Sequence, residues 1–470
     1  MINESIIILR FEWLIALMIV VLFVLNLMGV DKNPKRFMNI VNAMLVINFV
    51  AGFIPIKDGY LFQGFYHTTA LIVLEKNILN LGLMLIAFSA KQWIIESKRP
   101  AEFFILMFSS VLGMYVMLSS GHILVLYLGL ELSSLPLAAL AAFNTDSRKS
   151  SEAGVKYILS SAFSTGITLF GISLLYGAVG NLGFDAIIQH IHEDALTLTA
   201  FVFILAGFSF KMSIVPFHMW TADVFEGAPT PVTNYLAVVS KGSVIFIFIT
   251  VLYTVFGKLE NAWLLAISVL SVLSMTVGNI FALRQQNLKR FLAFSSIAQV
   301  GFVLVGIAGA SNMGTDSVVY FLVIYLLSNI ALFSIVEAIS DETGKVTISD
   351  YKGLYKSNPF YAIIFTVALF SLAGVPPTAG FFGKLFLLTS GMGSGMYVLL
   401  GFATINLVLS LYTYLRVVKA MFIDPEEERM PLIKKSVLTN FVLAVCLIGI
   451  IILGFAGVFY QYIDSISSQL

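Results

Sequence analysis

The sequence predicts an all-α integral membrane protein of about fourteen helical spans. Three observations carry that expectation: an apolar composition, a succession of segments long enough to cross a bilayer, and a lopsided placement of lysine and arginine between them. Of 470 residues, 59% are hydrophobic and 11% charged, whereas an ordinary soluble domain carries about 25% charged residues. A mean hydropathy of +0.95 suits a chain solvated mostly by lipid. The net charge of +1 offers no basic face to nucleic acid. The one cysteine, Cys446, lies in an apolar run and reads as a packed core residue, since one thiol holds neither a disulfide framework nor an iron–sulfur cluster. The first apolar run, Trp13 to Val30, lacks a small-residue cleavage site and reads as a span rather than a signal peptide.

Apolar runs of about twenty residues cross a bilayer. They fall at 8–30, 38–56, 69–93, 101–119, 121–143, 157–180, 199–219, 229–256, 262–283, 290–309, 316–340, 358–390, 398–422 and 435–460. The seventh run carries Pro216. The twelfth is too long for one helix and carries Pro376 and Pro377 beside Gly374 and Gly380. Proline removes an amide donor and frees carbonyls, which a membrane tolerates only where protein or a water path covers them. Both runs are therefore expected to be interrupted. Lysine and arginine in the connections alternate 20 to 3, the poor side holding only Arg10, Lys57 and Lys258. The rich side ends with Arg416, Lys419, Arg429, Lys434 and Lys435. The positive-inside rule then puts both termini outside, on the periplasmic side of a bacterial inner membrane.

Four cationic residues, Lys76, Lys211, Lys241 and Lys384, fall inside spans. A charged side chain at the bilayer centre costs roughly 2.5–3.5 kcal/mol on insertion scales, so it reads as functional before it reads as structural. Glu131 sits mid-span in YLGLELSSLPLAAL; the bland alternative is a protonated acid joining two helices. Lys211 precedes the break at Pro216, Lys241 has apolar flanks on both sides, and Lys384 follows the break at Pro376-Pro377. Desolvated lysines beside a carboxylate are what a proton relay requires, and Glu131 with Lys211 is expected to form an ion pair. Weaker candidates are Lys156, as a positive-inside anchor or a partner for Glu131, and His218 beside Pro216. Glu75 and Lys76 are read as pairing with each other or reaching the interface. His190 and His192 lack a third ligand, so no metal site is expected. Leu205-Ala206-Gly207 before Lys211 and Pro216 echoes Leu372-Ala373-Gly374 before Pro376 and Lys384, a pattern of matching broken helices in two halves.

The run FKMSIVPFHMWTADVFEGAPTPVTNYLAVVSKG (210–242) resembles the central signature of the antiporter-like membrane subunits of bacterial respiratory complex I, the proton-pumping NADH:quinone oxidoreductase. EAGVKYILSSAFSTGITLFGISLLYGAVG (152–180), QNLKRFLAFSSIAQVGF (286–302) and GVPPTAGFFGKLFLL (374–388) carry the same resemblance. It runs from about Phe103 onward; the first hundred residues match only in span pattern. Within the group the chain is most similar to the subunit N type: Lys384 stands where subunit M usually has glutamate, and subunit L is expected to be longer, with a lateral helix beyond the last span.

The resemblance implies two inverted five-helix repeats, spans 4–8 and 9–13, interrupted in helices 7 and 12. The chain divides accordingly into 1–100, 101–256, 257–422 and 423–470. It also implies a proton route through Glu131, Lys211, Lys241 and Lys384, with Lys156, His218, Gln299, Pro216, Pro376 and Pro377 in support. Relatives often have histidine at Gln299; glutamine does not titrate, so the middle of the route is expected to use water or another side chain. No cofactor is implied in this chain; NADH, FMN, iron–sulfur clusters and quinone belong to the whole complex. The implied partners are subunit M, small membrane subunits and the lipid bilayer. An Mrp-type cation/proton antiporter subunit is the alternative, and the stretch TADVFEGAPTPVT disfavours it.

Overall fold

The computed structural model describes residues 7–55, 58–393, 395–425, 430–433 and 436–467. Lys57, Arg429, Lys434 and Lys435, which enter the charge count, lie outside them. Twelve helices are long and apolar enough to cross a membrane. In chain order the helices used below are α1 (Arg10–Leu27), α2 (Pro34–Ala51), α3 (Ala70–Ser89), α4 (Pro100–Leu118), α5 (Ile123–Ala141), α6 (Arg148–Val179), α7 (Ala195–Met212) and α8 (Met219–Gly227). They continue with α9 (Thr230–Val255), α10 (Glu260–Arg284), α11 (Leu288–Ile307), α12 (Asn312–Thr343), α13 (Pro359–Ala373), α14 (Ala379–Gly393), α15 (Tyr397–Phe422) and α16 (Val437–Phe455). A two-stranded hairpin, Gly59–Leu61 with Tyr66–Thr68, precedes α3.

Local sequence fixes where these helices begin and end. Side chains of Thr69, Asp194, Asn287 and Ser311 accept the first free amides of α3, α7, α11 and α12, and prolines open α2, α4 and α13. Both expected interruptions are present. α7 stops at Ser213, which adopts φ 63, and α8 resumes at Met219; α13 stops at Gly374, with φ 84, and α14 resumes at Ala379. The sixth apolar run extends further toward its N-terminus than hydropathy suggests: α6 begins at Arg148, so Lys156 lies two turns inside a helix.

α12 is buried along its whole apolar stretch, and α9 and α11 nearly so, while α1, α10, α15 and α16 expose most of theirs. The exposed apolar faces suit lipid contact. The central three helices supply an interior where polar groups must find partners within the protein. Small residues let neighbours approach closely, as expected where lipid provides no hydrophobic drive to pack. A Cβ on Gly113 of α4 would lie 2.3 Å from the Ser133 amide nitrogen of α5, and one on Gly278 of α10 would lie 2.6 Å from the Ala298 nitrogen of α11. Backbone cannot retreat as a side chain can. Gly113→Val is therefore expected to cost about 1–3 kcal/mol or more, read as loss of assembled chain from membranes. Gly177→Val, which meets nothing within 4 Å, should accumulate normally.

Candidate functional site

The site is built in two halves. In the first, Glu131 is half-buried on α5, and its Oε1 has no hydrogen-bond partner among the described residues. Lys211, in the last turn of α7, donates to the hydroxyls of Ser134, one turn beyond Glu131, and of Ser161 on α6, the latter at 2.8 Å. The rings of Tyr157 and Phe210 flank the ammonium at 5.7 and 5.6 Å. The expected ion pair is not what holds Lys211: among the described residues it meets no carboxylate at ion-pair distance. The carbonyls freed by the break are covered from nearby, Trp220 Nε1 donating to Phe210 O at 3.1 Å. His218 is buried at the start of α8, and its Nδ1 has no partner among the described residues. It touches neither Lys211 nor Glu131 by hydrogen bond.

Lys156 pairs with Glu152 at 2.8 Å and Asp223 at 2.6 Å, not with Glu131. Asp223 also meets Arg290 at 2.6 Å, Arg290 meets Glu226 at 3.1 Å, and Glu226 meets Lys149 at 3.0 Å. This chain of charges ties α6, α8 and the start of α11 together around a cavity of about 120 Å³. Its members are partly exposed, so each pair contributes only about 0–1 kcal/mol. In the sequence, Lys149 and Arg290 count among the cations of the connections, and nothing there singles out Asp223 or Glu226 except their spacing, three apart on one helix face.

In the second half, Lys241 is 1% exposed on α9 and donates to Ser296 Oγ of α11 at 2.9 Å, with the Phe225 ring at 5.8 Å. A π-helical turn, Leu236–Ser240, immediately precedes it; such turns widen the helix and recur at functional sites. Next to Ser296, Ser295 shares a 2.6 Å hydrogen bond with the Tyr414 hydroxyl of α15. Gln299 Nε2 donates to Tyr414 at 2.8 Å and to Leu372 O at 3.0 Å, at the end of α13. One residue further, Ala373 O accepts from Lys384 Nζ at 3.5 Å, and the Phe302 ring stands 4.2 Å from that ammonium. α11 therefore carries a line of polar groups between two buried lysines. Tyr414 is the non-glutamine group that the sequence left unnamed, because a tyrosine in an apolar span looks like packing. The two breaks are not used alike: Lys211 ends the half-helix before its break, whereas Lys384 lies in the second turn after its own.

Glu75 and Lys76 do not pair. Lys76 is buried and meets Glu12 of α1 at 2.5 Å, with Tyr66 and Ser119 at 3.1 and 2.6 Å. Glu75 points elsewhere, into a separate cavity.

A family model described as NADH:quinone oxidoreductase/Mrp antiporter, TM, matches residues 120–410, a range containing Glu131 and the three site lysines. The chain is 42% identical over 463 residues to NADH-quinone oxidoreductase subunit N of Azobacteroides pseudotrichonymphae genomovar. CFP2, covering 97% of this chain and 96% of that one. It is equally identical, 42% over 425 residues, to the subunit N of Phocaeicola vulgatus, with 90% of each chain covered. The chain belongs to the subunit N family of NADH-quinone oxidoreductase. The kinship with subunit N spans nearly the whole length, so the first hundred residues share it in sequence as well as in span pattern. Among solved structures, a chain of respiratory complex I from Thermus thermophilus with bound aureothin superposes with TM-score 0.79 at 28% identity, covering 94% of this chain and 98% of that one. A chain of the Mrp complex from Dietzia sp. DQ12-45-1b reaches TM-score 0.88 at 19% identity, with 100% and 98% covered. The second likeness concerns the fold alone. Sequence kinship, not shape, separates subunit N from the antiporter reading.

If the line along α11 carries protons, Tyr414→Phe removes one hydrogen-bonding member. The expected loss is about 1 kcal/mol, roughly a fivefold slowing of proton pumping, with assembly intact. A wild-type pumping rate in that variant would remove Tyr414 from the line.

Proposed function

We propose that this chain, a proton-translocating membrane subunit of NADH-quinone oxidoreductase, moves protons through Glu131, Lys211, Lys241 and Lys384. The observation that carries the reading is the succession Lys241–Ser296, Ser295–Tyr414–Gln299–Leu372 O and Ala373 O–Lys384. Two titratable ammonium groups stand at its ends, with hydroxyls and an amide between them. In one step an ammonium N–H breaks and the proton passes through hydroxyls or water. The next amine then becomes an ammonium. Buried Ser209 and Ser213 beside Lys211, with Thr221 and Asn234 on the elements between Lys211 and Lys241, hold polar atoms without hydrogen-bond partners among the described residues. Buried groups of that kind are satisfied by water, which supports a wet continuation from the first half to the second. Lys156, His218 and the breaks at Pro216, Pro376 and Pro377 support the route without lying on this line.

In this reading the chain has fourteen spans: the twelve long helices, α7 among them with α8 as its second half, plus α2 and the broken pair α13–α14. Its two five-helix repeats occupy 101–256 and 257–422, flanked by 1–100 and 423–470. NADH, FMN, iron–sulfur clusters and quinone act in other subunits, and the chain itself carries out no redox step. Its neighbours in the complex are subunit M and small membrane subunits, in a bacterial inner membrane with both termini periplasmic.

Arginine keeps its charge at any accessible pH, whereas lysine can release its proton. Lys384→Arg and Lys384→Met should both lose coupled pumping while the complex assembles; an arginine variant pumping at the wild-type rate would make Lys384 a mere counter-charge. Sidedness is checked with single thiols, since the native Cys446 is buried. Asp146→Cys should resist an impermeant reagent added to intact spheroplasts and His192→Cys should react. The opposite pattern inverts the topology.

A further inference from the structure

Glu75 is a buried acid that the relay leaves unused. It is 4% exposed on α3, yet among the described residues it makes no hydrogen bond and no ion pair. Its neighbour Lys76 is already taken by Glu12 on another side of the helix. Glu75 instead lines a cavity of about 230 Å³, shared with Thr250, Tyr253, Glu260, Asn312 and Thr315. Those residues sit at the start of α10, the start of α12 and the far end of α9. The charged cluster of Lys149, Glu226 and Arg290 sits at the start of α6 and α11. The cavity and the cluster therefore occupy opposite ends of the bundle.

Packing brings this cavity close to the relay. A Cβ on Gly242, next to Lys241, would stand 3.7 Å from Leu79 Cδ2, and one on Gly82 would stand 3.1 Å from Val239. α3 and α9 thus touch at the level of Lys241. Glu75 lies four residues before Leu79, about 6 Å along the helix. Phe246, five residues past Lys241, lines the same cavity as Glu75, so the cavity begins about one turn beyond the lysine. A second π-helical segment, Val251–Val255, holds Tyr253 and Thr254 on its wall, where the widened turn leaves backbone carbonyls able to bind water.

We infer that Glu75 is the release carboxylate of this subunit: a proton that reaches Lys241 from Lys211, or along α11 from Lys384, passes to Glu75 and then to water in the cavity beyond. The inference rests on the relay reading above. In the transfer an N–H bond of the Lys241 ammonium breaks and an O–H bond forms on a Glu75 carboxylate oxygen, through intervening water. Lys241 is left as the amine and Glu75 as the acid. The acid's O–H then breaks to cavity water. One proton moves and no electron does. The other ionisable groups facing Glu75 are Glu260 and the Tyr253 phenol across the cavity, with Lys76 on its own helix. Glu260 lines the same cavity and is exposed, so the cavity reaches the surface there.

The test uses the assembled complex in inverted membrane vesicles, reading NADH-driven proton pumping beside quinone reduction. Glu75→Gln keeps the shape and removes the titration; it should slow pumping by about tenfold or more, while Glu75→Asp stays within about threefold of wild type. Glu75→Gln pumping at the wild-type rate overturns the proposal. Where Glu75→Gln fails to assemble, Thr254→Cys takes its place. A bulky impermeant thiol reagent applied to intact spheroplasts, which present the cavity face in the proposed topology, should modify the introduced thiol and stop pumping in vesicles prepared from them, and the same reagent added to the inverted vesicles should do neither. Modification without loss of pumping, or no modification from either face, overturns the proposal equally. Lys241→Met separates the two levels of the argument. If that variant pumps normally, the relay itself fails. If it stops pumping while Glu75→Gln does not, only the role of Glu75 is lost.

Discussion

Everything in this molecule turns on how an ammonium group is held where no water shell can hold it. Two solutions appear side by side. Lys76 is given a carboxylate, Glu12, at 2.5 Å, an ion pair that exists only while the amine holds its proton. Lys211, Lys241 and Lys384 are given hydroxyls, a carbonyl and aromatic faces instead. A serine hydroxyl accepts from an ammonium and donates to an amine, so the same contact serves both protonation states of Lys211 and Lys241. The first arrangement fastens helices together; the second leaves a proton free to leave.

The broken helices follow from the same constraint. Interrupting α7 and α13 exposes backbone oxygens that lipid cannot satisfy, and the protein meets them with its own donors: the Trp220 indole, the Gln299 amide and the Lys384 ammonium. The fully wrapped position of α12, with α9 and α11 beside it, makes this possible. Peripheral helices take the lipid, and the polar chemistry is confined to the interior.

Much of this was legible in the sequence because hydropathy and charge leave unmistakable marks at membrane depth. The interruptions at Pro216 and Pro376-Pro377 and the four buried ionisable residues were visible without coordinates. What was hidden were the partners. Glu12 and Lys76 are separated by 64 residues, and Tyr414 reaches Ser295 from 119 residues away; no local pattern announces such pairings. Of the two readings of Glu75 and Lys76, pairing or reaching the interface, the pairing fails because adjacency in sequence is not adjacency on a helix, where successive side chains diverge by about 100°. For Lys156, read as a positive-inside anchor or a partner for Glu131, the second reading fails, because its carboxylates are Glu152 and Asp223, the latter across a helix break.

The string of charges from Lys149 to Arg290 has a consequence of its own. It fastens the second half of the seventh span, α8, to the first turn of α11, the helix that presents Ser296, Gln299 and Phe302 to the lysines. A strut between two elements transmits work in both directions: whatever free energy a displacement of α8 adds to α11, a change on α11 returns to α8. Because the strut stands partly in water, its stiffness depends on ionic strength, with a Debye length of about 8 Å at physiological salt. Mechanical communication between the halves of this subunit is thus exposed to the electrolyte, while the groups it acts upon are sealed from it.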